Sequence, residues 1–370
     1  MRLLHVHSGN LYGGVETLMV TLVREANHRP SLMSEFALCF DAQLAKELRS
    51  CGSQVYALGE TRTRDPRSLR MARRRLRQVI SEGRFDAVVT HMPWAQALFG
   101  RTVRASGVPL IFWMHDAASG HHWLEWWAAL TQPQLVLCNT RYTASTLNRL
   151  YANVPAQVIA YPVALAPAGI TAKKAEAVRR ELDTSPGATV IIQASRMEAW
   201  KGHELHLQAL GKLRDLSMWA SWFAGGAQRP AERRYLAKLR QIAADLGIAE
   251  RVRFLGHRSD VPLLLRAADI YCQPNQRPEP FGIAFIEAFA AGLPVVSVDL
   301  GSAREIIDES CGALVPAGDA NALAEALRQL ITNPRERSRL GSAGPAHAFN
   351  LCDPATQMTK IEEAIRGLPI

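Results

Sequence analysis

Two glutamates eight positions apart stand out in the second half of the chain, in the segment EPFGIAFIE at 279–287. Pro280 favours the first turn of a helix, and the apolar residues after it suit a buried helix. Glu279 is then expected in a loop at the helix start, with Glu287 about one and a half turns inside. Helix N–H groups attract phosphate, whereas carboxylates accept hydrogen bonds from hydroxyl groups. The segment therefore predicts a site for a sugar on one side and a ribose on the other.

This segment resembles the E-x7-E signature of retaining glycosyltransferases of family 4, which have the GT-B architecture. The neighbouring segments match in the same order, namely VRFLGH at 252–257, EAFAAGLPVV at 287–296 and GALV at 312–315. The resemblance covers residues 188–332. It implies an enzyme that moves a sugar from a nucleotide-diphosphate donor, UDP- or GDP-linked, to an acceptor hydroxyl with retention of configuration. No cofactor and no metal ion is implied, and the chain contains no Asp-x-Asp triplet of the metal-dependent transferases.

The resemblance also implies roles for residues in this segment. Glu287 would bind the ribose hydroxyls. Glu279 would hold the transferred sugar, together with backbone N–H groups of Phe281, Gly282 and Ile283. One position departs from the family pattern, because a serine at 302 stands where a second glycine is common, and its side chain is expected to narrow the donor pocket.

A second loop supplies cations. In ASRMEAWKG at 194–202, Arg196 and Lys201 resemble the family's Arg-x4-Lys-Gly loop, which holds the donor's pyrophosphate. Fixed cations stabilise the negative charge that develops as a nucleoside diphosphate leaves. No carboxylate stands out as a nucleophile on the opposite face of the sugar, so front-side attack is expected.

Two glycines and a histidine are the candidates in the first half. Gly13 and Gly14 follow the first strand candidate and open a helix, where backbone can approach an anionic ligand closely; the equivalent family loop faces the donor diphosphate or the acceptor. His115 ends a strand candidate and resembles the family's histidine beside the transferred sugar. Asp116 is expected to orient its imidazole.

Acceptor contacts are predicted at His91 and Trp123. His91 follows the preceding strand candidate, and Trp123 lies in a predicted loop after His115. The alternatives are a structural histidine and core packing of the indole.

Apolar runs of strand length alternate with helical patterns along the whole chain, which is typical of parallel sheets covered by helices. We expect an α/β fold of two Rossmann-like domains whose sheets face each other across a cleft, as in GT-B. The predicted boundaries are 1–165 for an acceptor-side domain, 166–350 for a nucleotide-sugar domain, and 351–370 for a helix that crosses back to the first domain. The stretch 161–169, with two prolines, is the predicted linker.

Composition excludes several other classes of protein. The chain has no apolar run long enough to span a membrane, its first residues lack the pattern of a signal peptide, and its six cysteines show no C-x-x-C pair. A cytoplasmic protein with free thiols is expected. The glycines at 13 and 14 do not extend to G-x-G-x-x-G, so the dinucleotide fingerprint of a dehydrogenase is missing.

The net charge of +9 is concentrated in the first half, where residues 62–84 hold nine arginines and two acids. Residues 66–80 predict a basic amphipathic helix, which is expected to lie on an anionic membrane at the inner face of the cell membrane. The alternative is that its apolar stripe packs on the sheet and its arginines stay in water. The acceptor is expected to be a sugar, a glycolipid or a polysaccharide. The alternative is a non-catalytic nucleotide-sugar-binding protein or a basic nucleic-acid-binding protein, and the latter is disfavoured because aromatic residues do not interleave the arginines.

Overall fold

The computed structural model describes residues 1–10, 13–26, 31–163, 170–227 and 229–368. It divides into two compact units, Met1–Val163 with Cys352–Ile370, and Ala164–Leu351. Of the predicted linker 161–169, residues 164–169 lie outside the described part of the chain.

The first unit is a parallel sheet covered by helices. Its strands are β1 (Arg2–His7), β2 (Met33–Leu38), β3 (Val55–Ala57), β4 (Ala87–His91), β5 (Leu110–Met114), β6 (Leu135–Cys138) and β7 (Ala156–Val158). Its helices are α1 (Gly14–Ala26), α2 (Gln43–Ser50), α3 (Pro66–Gly83), α4 (Met92–Arg104), α5 (Trp123–Ala129), α6 (Arg141–Ser145) and, from the end of the chain, α15 (Pro354–Arg366). The strand order is β3-β2-β1-β4-β5-β6-β7, and α15 packs against α1.

The second unit repeats the scheme. Its strands are β8 (Thr189–Ala194), β9 (Trp219–Ala224), β10 (Val252–Gly256), β11 (Ile270–Gln273), β12 (Val295–Val298) and β13 (Gly312–Val315). Its helices are α7 (Ala172–Glu181), α8 (His203–Gly211), α9 (Pro230–Asp245), α10 (Val261–Ala267), α11 (Ile283–Ala290), α12 (Ala303–Ile306), α13 (Ala320–Thr332) and α14 (Pro334–Cys352). The strands are parallel, in the order β10-β9-β8-β11-β12-β13.

The predicted α/β class with two Rossmann-like domains is confirmed. The central strands are continuous apolar runs because helices cover both faces of each sheet. In β5 every residue is buried, and in β8 five of six are. Short three-residue strands, β3 and β7, close the two edges of the first sheet.

Helix α3 is the predicted basic helix, and Asp65 caps its start by accepting hydrogen bonds from the amides of Arg67 and Ser68. Its apolar face packs into the core of the first unit, where the buried side chains are Leu69, Ala72, Leu76 and Ile80. The expectation that this apolar face lies in a lipid interface is therefore wrong, because the sheet already covers it. The exposed arginines remain on the outer face.

Among the described residues, no helix is long and apolar enough to cross a membrane. All six cysteines lie in the described ranges, and each is a free thiol.

Candidate active site

Three neighbouring strands of the second unit end at one edge of its sheet, and the loops after them carry the predicted donor residues. The strands are β8, β11 and β12, which lie side by side. Arg196 and Lys201 follow β8, Glu279 follows β11, and Ser302 follows β12. The order of the strands reverses between β8 and β11, and open parallel sheets bind ligands at such a reversal, beyond the carboxyl ends of the strands.

A largely buried ion pair joins the first two loops. Lys201 Nζ lies 2.7 Å from Glu279 Oε2. The same oxygen accepts hydrogen bonds from Asn275 Nδ2 at 2.9 Å and from Gln273 Nε2 at 3.4 Å. Glu279 Oε1 accepts no hydrogen bond from the residues that the structure describes, so it can accept one from a hydroxyl group of a ligand. These two amides were not predicted from the sequence, although Gln273 is the last residue of β11 and Asn275 lies two residues after it.

The loop after β8 orders its own cations. Arg196 Nη1 lies 3.0 Å from Glu198 Oε1, and Trp200 Nε1 donates to Glu198 Oε2 at 2.8 Å. Lys201 Nζ lies 3.8 Å from the centre of the Trp200 ring, a cation–π contact. Glu198 and Trp200 lie inside the Arg-x4-Lys spacing and were not identified from sequence. They restrict the side chains of the two cations before any ligand arrives.

Gly202 allows the loops after β8 and β11 to touch. Its φ is +77°, and a Cβ there would lie 1.7 Å from the carbonyl oxygen of Pro274. The amide of Gln276 donates to the carbonyl of Trp200 at 2.7 Å across the same contact. A residue other than glycine would push Lys201 away from Glu279.

The loop after β12 fixes the backbone of Glu279. Glu279 and Gly301 form a single parallel bridge, and the amide of Ser302 donates to the carbonyl of Glu279 at 2.9 Å. The buried hydroxyl of Ser302 donates to the carbonyl of Phe281 at 3.0 Å. Ser302 was expected to narrow the donor pocket. Its side chain instead stabilises the Glu279 loop through a hydrogen bond that a glycine could not make.

Helix α11 begins at Ile283, three residues later than predicted. Pro280 lies in the irregular segment before the helix, so the expectation that it opens the helix is wrong. Gly282 ends this segment with a φ of +86°, a left-handed conformation that favours glycine. The first N–H groups of α11 have no carbonyl partner within the helix. They begin four residues after Glu279, and the amides of Ile283 and Ala284 can bind an anionic or hydroxyl oxygen.

Glu287 is the fifth residue of α11, and its carboxyl is only partly accessible to solvent. Burial raises its pKa from 4.5 to about 7. Its side chain receives no hydrogen bond from any residue in the described ranges. An acid that has lost water without gaining protein donors is suited to bind the hydroxyl groups of a ligand.

Replacing Glu287 with Gln is expected to stabilise the ligand-free protein at pH 8 but not at pH 4.5. Because the folded-state pKa is raised, the native state keeps a proton that the unfolded chain releases, and stability is lost as pH rises from 4.5 to about 7. Glutamine cannot ionise, so the gain at pH 8 should approach about 3 kcal/mol. Urea unfolding at both pH values measures it, with Glu250→Gln as an exposed control. A pH-independent difference would contradict the interpretation.

The glycine loop of the first unit lies where the sequence predicts it. Gly14 is the first residue of α1, and the carbonyl of Gly13 accepts hydrogen bonds from Thr17. His7 at the end of β1 bonds Glu16 in the first turn of α1, with Nε2 2.8 Å from Oε1. This buried pair was not predicted. It fixes the helix start against the strand end.

Five side chains form a continuous hydrogen-bonded row across the first sheet, here called the histidine chain. The row is Ser34, His5, His91, His115 and Tyr161, and all five are buried. Successive polar atoms are separated by 3.2 Å (Ser34–His5), 2.9 Å (His5–His91), 2.8 Å (His91–His115) and 2.5 Å (His115–Tyr161).

Strand register explains this row. Leu3 of β1 pairs with Ser34, and His5 is two residues further on. Each later step repeats the shift, because His5 pairs with Val89 and His91 with Trp113, two residues before the next histidine in the row. Residues two apart share a sheet face, and diagonal neighbours are within reach of aromatic side chains. The histidine chain therefore runs obliquely across the sheet, towards the edge at which the strands end.

Burial lowers the pKa of all three histidines in the chain, that of His5 to about 3. His91 was expected on the acceptor side, but it is fully buried and both its nitrogens bond other histidines. Asp116 was expected to orient His115. Both ring nitrogens of His115 instead bond other residues, His91 and Tyr161, and Asp116 is exposed.

Trp123, the other acceptor candidate, was expected in a loop but is the first residue of α5, and it is 49% exposed. Trp126 and Leu130 are exposed beside it. Trp113, in contrast, is core. The acceptor role of Trp123 stays a prediction.

Comparison with known proteins gives one consistent family. The model described as "Glycosyl transferases group 1" matches residues 174–347, and the one described as "Glycosyltransferase Family 4" matches residues 12–166. The chain is 30% identical over 299 residues to a phosphatidyl-myo-inositol mannosyltransferase of Mycobacterium leprae, covering 79% of this chain and 76% of the relative. A lipopolysaccharide core biosynthesis glycosyltransferase of Rhizobium meliloti, LpsE, is 31% identical over 45% of this chain and 46% of its own length.

Solved structures show the same fold. The chain matches HepE from Anabaena, crystallised in complex with UDP and glucose, with a TM-score of 0.88, 22% identity and complete coverage of both chains. A glycosyltransferase from Rickettsia africae matches with a TM-score of 0.86 at 19% identity, over 99% of this chain and 98% of that one.

Proposed function

Because the chain belongs to glycosyltransferase family 4, we propose that it is a retaining glycosyltransferase whose transfer step needs no metal ion. It takes a sugar from a UDP- or GDP-linked donor and passes it to an acceptor hydroxyl. The observation that carries the proposal is the 2.7 Å pair of Lys201 and Glu279 just before α11. A cation, a carboxylate and free helix N–H groups together are what a sugar diphosphate requires.

In this proposal each group acts on one part of the donor. Arg196 and Lys201 stabilise the charge that grows on the diphosphate as its bond to the sugar breaks. Glu279 holds sugar hydroxyls, helped by the backbone at the start of α11, and Glu287 holds the ribose. The acceptor oxygen attacks from the face that the diphosphate leaves, and its proton passes to the departing phosphate oxygen.

The resemblance assigns His115 to the transferred sugar. Its two ring nitrogens bond His91 and Tyr161, and its carbonyl accepts a hydrogen bond from Asn139 at 2.9 Å. We therefore propose that His115 shapes the site through its backbone and neighbours, and that it transfers no proton.

Release of nucleoside diphosphate from a panel of UDP- and GDP-sugars, followed by proton NMR of the product, tests the proposal. We expect release from one donor class and an unchanged anomeric configuration. Transfer should persist in excess EDTA, because Arg196, Lys201 and the start of α11 supply positive charge. An inverted anomer would contradict retention, and inhibition that only Mg²⁺ or Mn²⁺ reverses would contradict metal independence.

The acceptor is proposed to be a glycolipid or a polysaccharide of the cell surface, assembled at the inner face of the cell membrane. The names of the relatives from Mycobacterium leprae and Rhizobium meliloti, which refer to phosphatidyl-myo-inositol and lipopolysaccharide, support this proposal. Transfer to lipid extracts, compared with soluble oligosaccharides, would test it.

Four exposed arginines on one side of α3 support contact with an anionic membrane. This basic face consists of Arg67, Arg70, Arg74 and Arg77. Arg73 and Arg75 do not belong to it, since they donate to the carbonyls of Leu98 and Leu58. Because the apolar side of α3 is covered, the proposed attraction is electrostatic, at about 1 kcal/mol per basic residue near the surface.

Changing Arg70, Arg74 and Arg77 to Ser is expected to weaken binding to anionic vesicles at low salt by at least about tenfold, since three favourable charges are lost. Co-sedimentation at low and high salt measures this. The matched control removes three arginines from α9 of the second unit, at 233, 234 and 240. Equal loss in both variants, or binding that salt does not weaken, would exclude α3 as the contact.

A further inference from the structure

Three side chains of types that can ligate a metal lie at the edge of the second sheet opposite to the donor residues. Asp308 and Cys311 belong to the turn before β13, and His347 lies in α14. The amide of Val295, at the amino end of β12, donates to the carbonyl of Cys311. One ligand atom from each of the three side chains can be chosen so that all lie within 4.8 Å of one another.

Two glycines bring α14 close enough to place His347 in this cluster. A Cβ on Gly341 would lie 2.4 Å from the carbonyl oxygen of Gly292, and one on Gly344 would lie 2.8 Å from that of Phe289. The imidazole of His347 then packs edge-on against the Phe289 ring, with 5.3 Å between centroids. The position of His347 is thus set by close backbone packing.

The orientation of the imidazole presents one nitrogen to the cluster. His347 Nε2 lies 2.7 Å from the carbonyl oxygen of Ile306. A carbonyl only accepts, so Nε2 carries a proton. Nδ1 faces Asp308 Oδ2 at 3.6 Å, too far for a good hydrogen bond. A histidine that donates one N–H to a backbone carbonyl and directs its other nitrogen at a carboxylate has the arrangement typical of metal ligands.

The other contacts of Asp308 do not fill the gap between its carboxylate and the imidazole. The amide and hydroxyl of Ser310 donate to Asp308 Oδ1 at 2.8 and 2.5 Å, and Cys311 Sγ lies 3.5 Å from that oxygen and 3.6 Å from the Asp308 carbonyl. Ligands bound tetrahedrally at zinc distances are about 3.3–3.8 Å apart. Asp308 Oδ1 has Cys311 Sγ at 3.5 Å and Asp308 Oδ2 has His347 Nδ1 at 3.6 Å, so each carboxylate oxygen has one neighbour at that spacing.

We propose that Asp308, Cys311 and His347 form a zinc site, with water as the fourth ligand. Thiol sulfur and imidazole nitrogen favour zinc over Mg²⁺ or Ca²⁺, and the exposed side of Asp308 leaves room for water. On binding, a Zn–S bond forms and the thiol proton passes to solvent. The ion would join α14 to the turn before β13. This inference does not depend on the proposed transferase activity.

Titration of the untagged, full-length protein with Co²⁺, as a spectroscopic substitute for zinc, tests the site directly. We expect one equivalent bound, with a thiolate-to-cobalt charge-transfer band and the intense visible bands of tetrahedral cobalt, both bleached by one equivalent of Zn²⁺. The wild-type spectrum reports the thiolate ligand without any variant. Absence of the charge-transfer band would overturn the proposal.

Variants then assign the ligands. Asp308→Asn and His347→Gln should each weaken zinc binding at least about tenfold, and Cys311→Ser should abolish the charge-transfer band. Glu309→Gln removes the neighbouring exposed acid and serves as the matched control. Equal affinity in Asp308→Asn and Glu309→Gln would show that zinc binds elsewhere and would also overturn the proposal.

Discussion

Replacing Lys201 with Ala is expected to lower kcat by roughly 10²–10³, the loss seen when a preorganised charge stabiliser is removed. The ammonium lies 2.7 Å from Glu279 and over the Trp200 ring, so it is in position before the donor binds. The variant also leaves Glu279 with only two amide donors, which should cost about 3 kcal/mol of stability. Initial rates at saturating donor, together with thermal unfolding, separate the two effects.

A matched ion pair in the same unit provides the control. Lys238 Nζ lies 2.7 Å from Glu204 Oε2, the same separation as in the Lys201–Glu279 pair, but the lysine is 58% exposed. Lys238→Ala should change neither kcat nor stability by much, because exposed pairs contribute little. If folded Lys201→Ala transferred sugar as fast as Lys238→Ala, Lys201 would have no part in the mechanism.

Replacing His91 with Leu is expected to lower the free energy of unfolding by about 2–4 kcal/mol at pH 7.5. Leucine fills much of the space but leaves His5 and His115 each without a partner for one buried nitrogen, and an orphaned buried group costs about 1–3 kcal/mol. Urea unfolding measures the loss. His121→Leu, at an exposed position, should stay within about 0.5 kcal/mol of wild type.

The pH dependence of this loss checks its cause. Burial holds the pKa of His91 well below its usual range. The native state therefore does not bind a proton that the unfolded chain binds, and the free energy of unfolding of the wild type falls as pH drops below 6.5. Leucine removes that penalty, so the gap between variant and wild type should narrow by about 1–2 kcal/mol at pH 5. A gap that widened on acidification would contradict a neutral His91.

Sequence patterns located the strands well, because a strand buried on both faces must be a continuous apolar run. The apolar runs at 110–114 and 135–138 of the sequence coincide with β5 (Leu110–Met114) and β6 (Leu135–Cys138) along their whole length. The family resemblance also named Lys201 and Glu279 as donor-site candidates. The structure brings them into contact because the carboxyl ends of parallel strands meet at one sheet edge. Local sequence patterns were sufficient to predict features that depend on one short segment of the chain.

Features that depend on tertiary contacts were not predicted from the sequence. Pro280 reads as a helix start, but Gly282 in a left-handed conformation delays α11 by three residues. The apolar side of α3 reads equally well as lipid-facing or core-facing, and only packing against the sheet decides between them. The roles of Asn275 and His91 required knowing which strands are neighbours and in what register.

The histidine chain has a consequence for tautomers. A neutral imidazole has one N–H, so each histidine of the row can donate to one neighbour only and must accept from the other. With both histidine–histidine bonds formed, the three rings must all donate in the same direction, either towards Ser34 or towards Tyr161. A tautomer change at one ring thus requires the other two to change with it. The hydroxyls of Ser34, on β2, and of Tyr161, after β7, are thus the two ends of one polarised row. Substituting either residue is expected to change which ring nitrogen carries hydrogen at the other end.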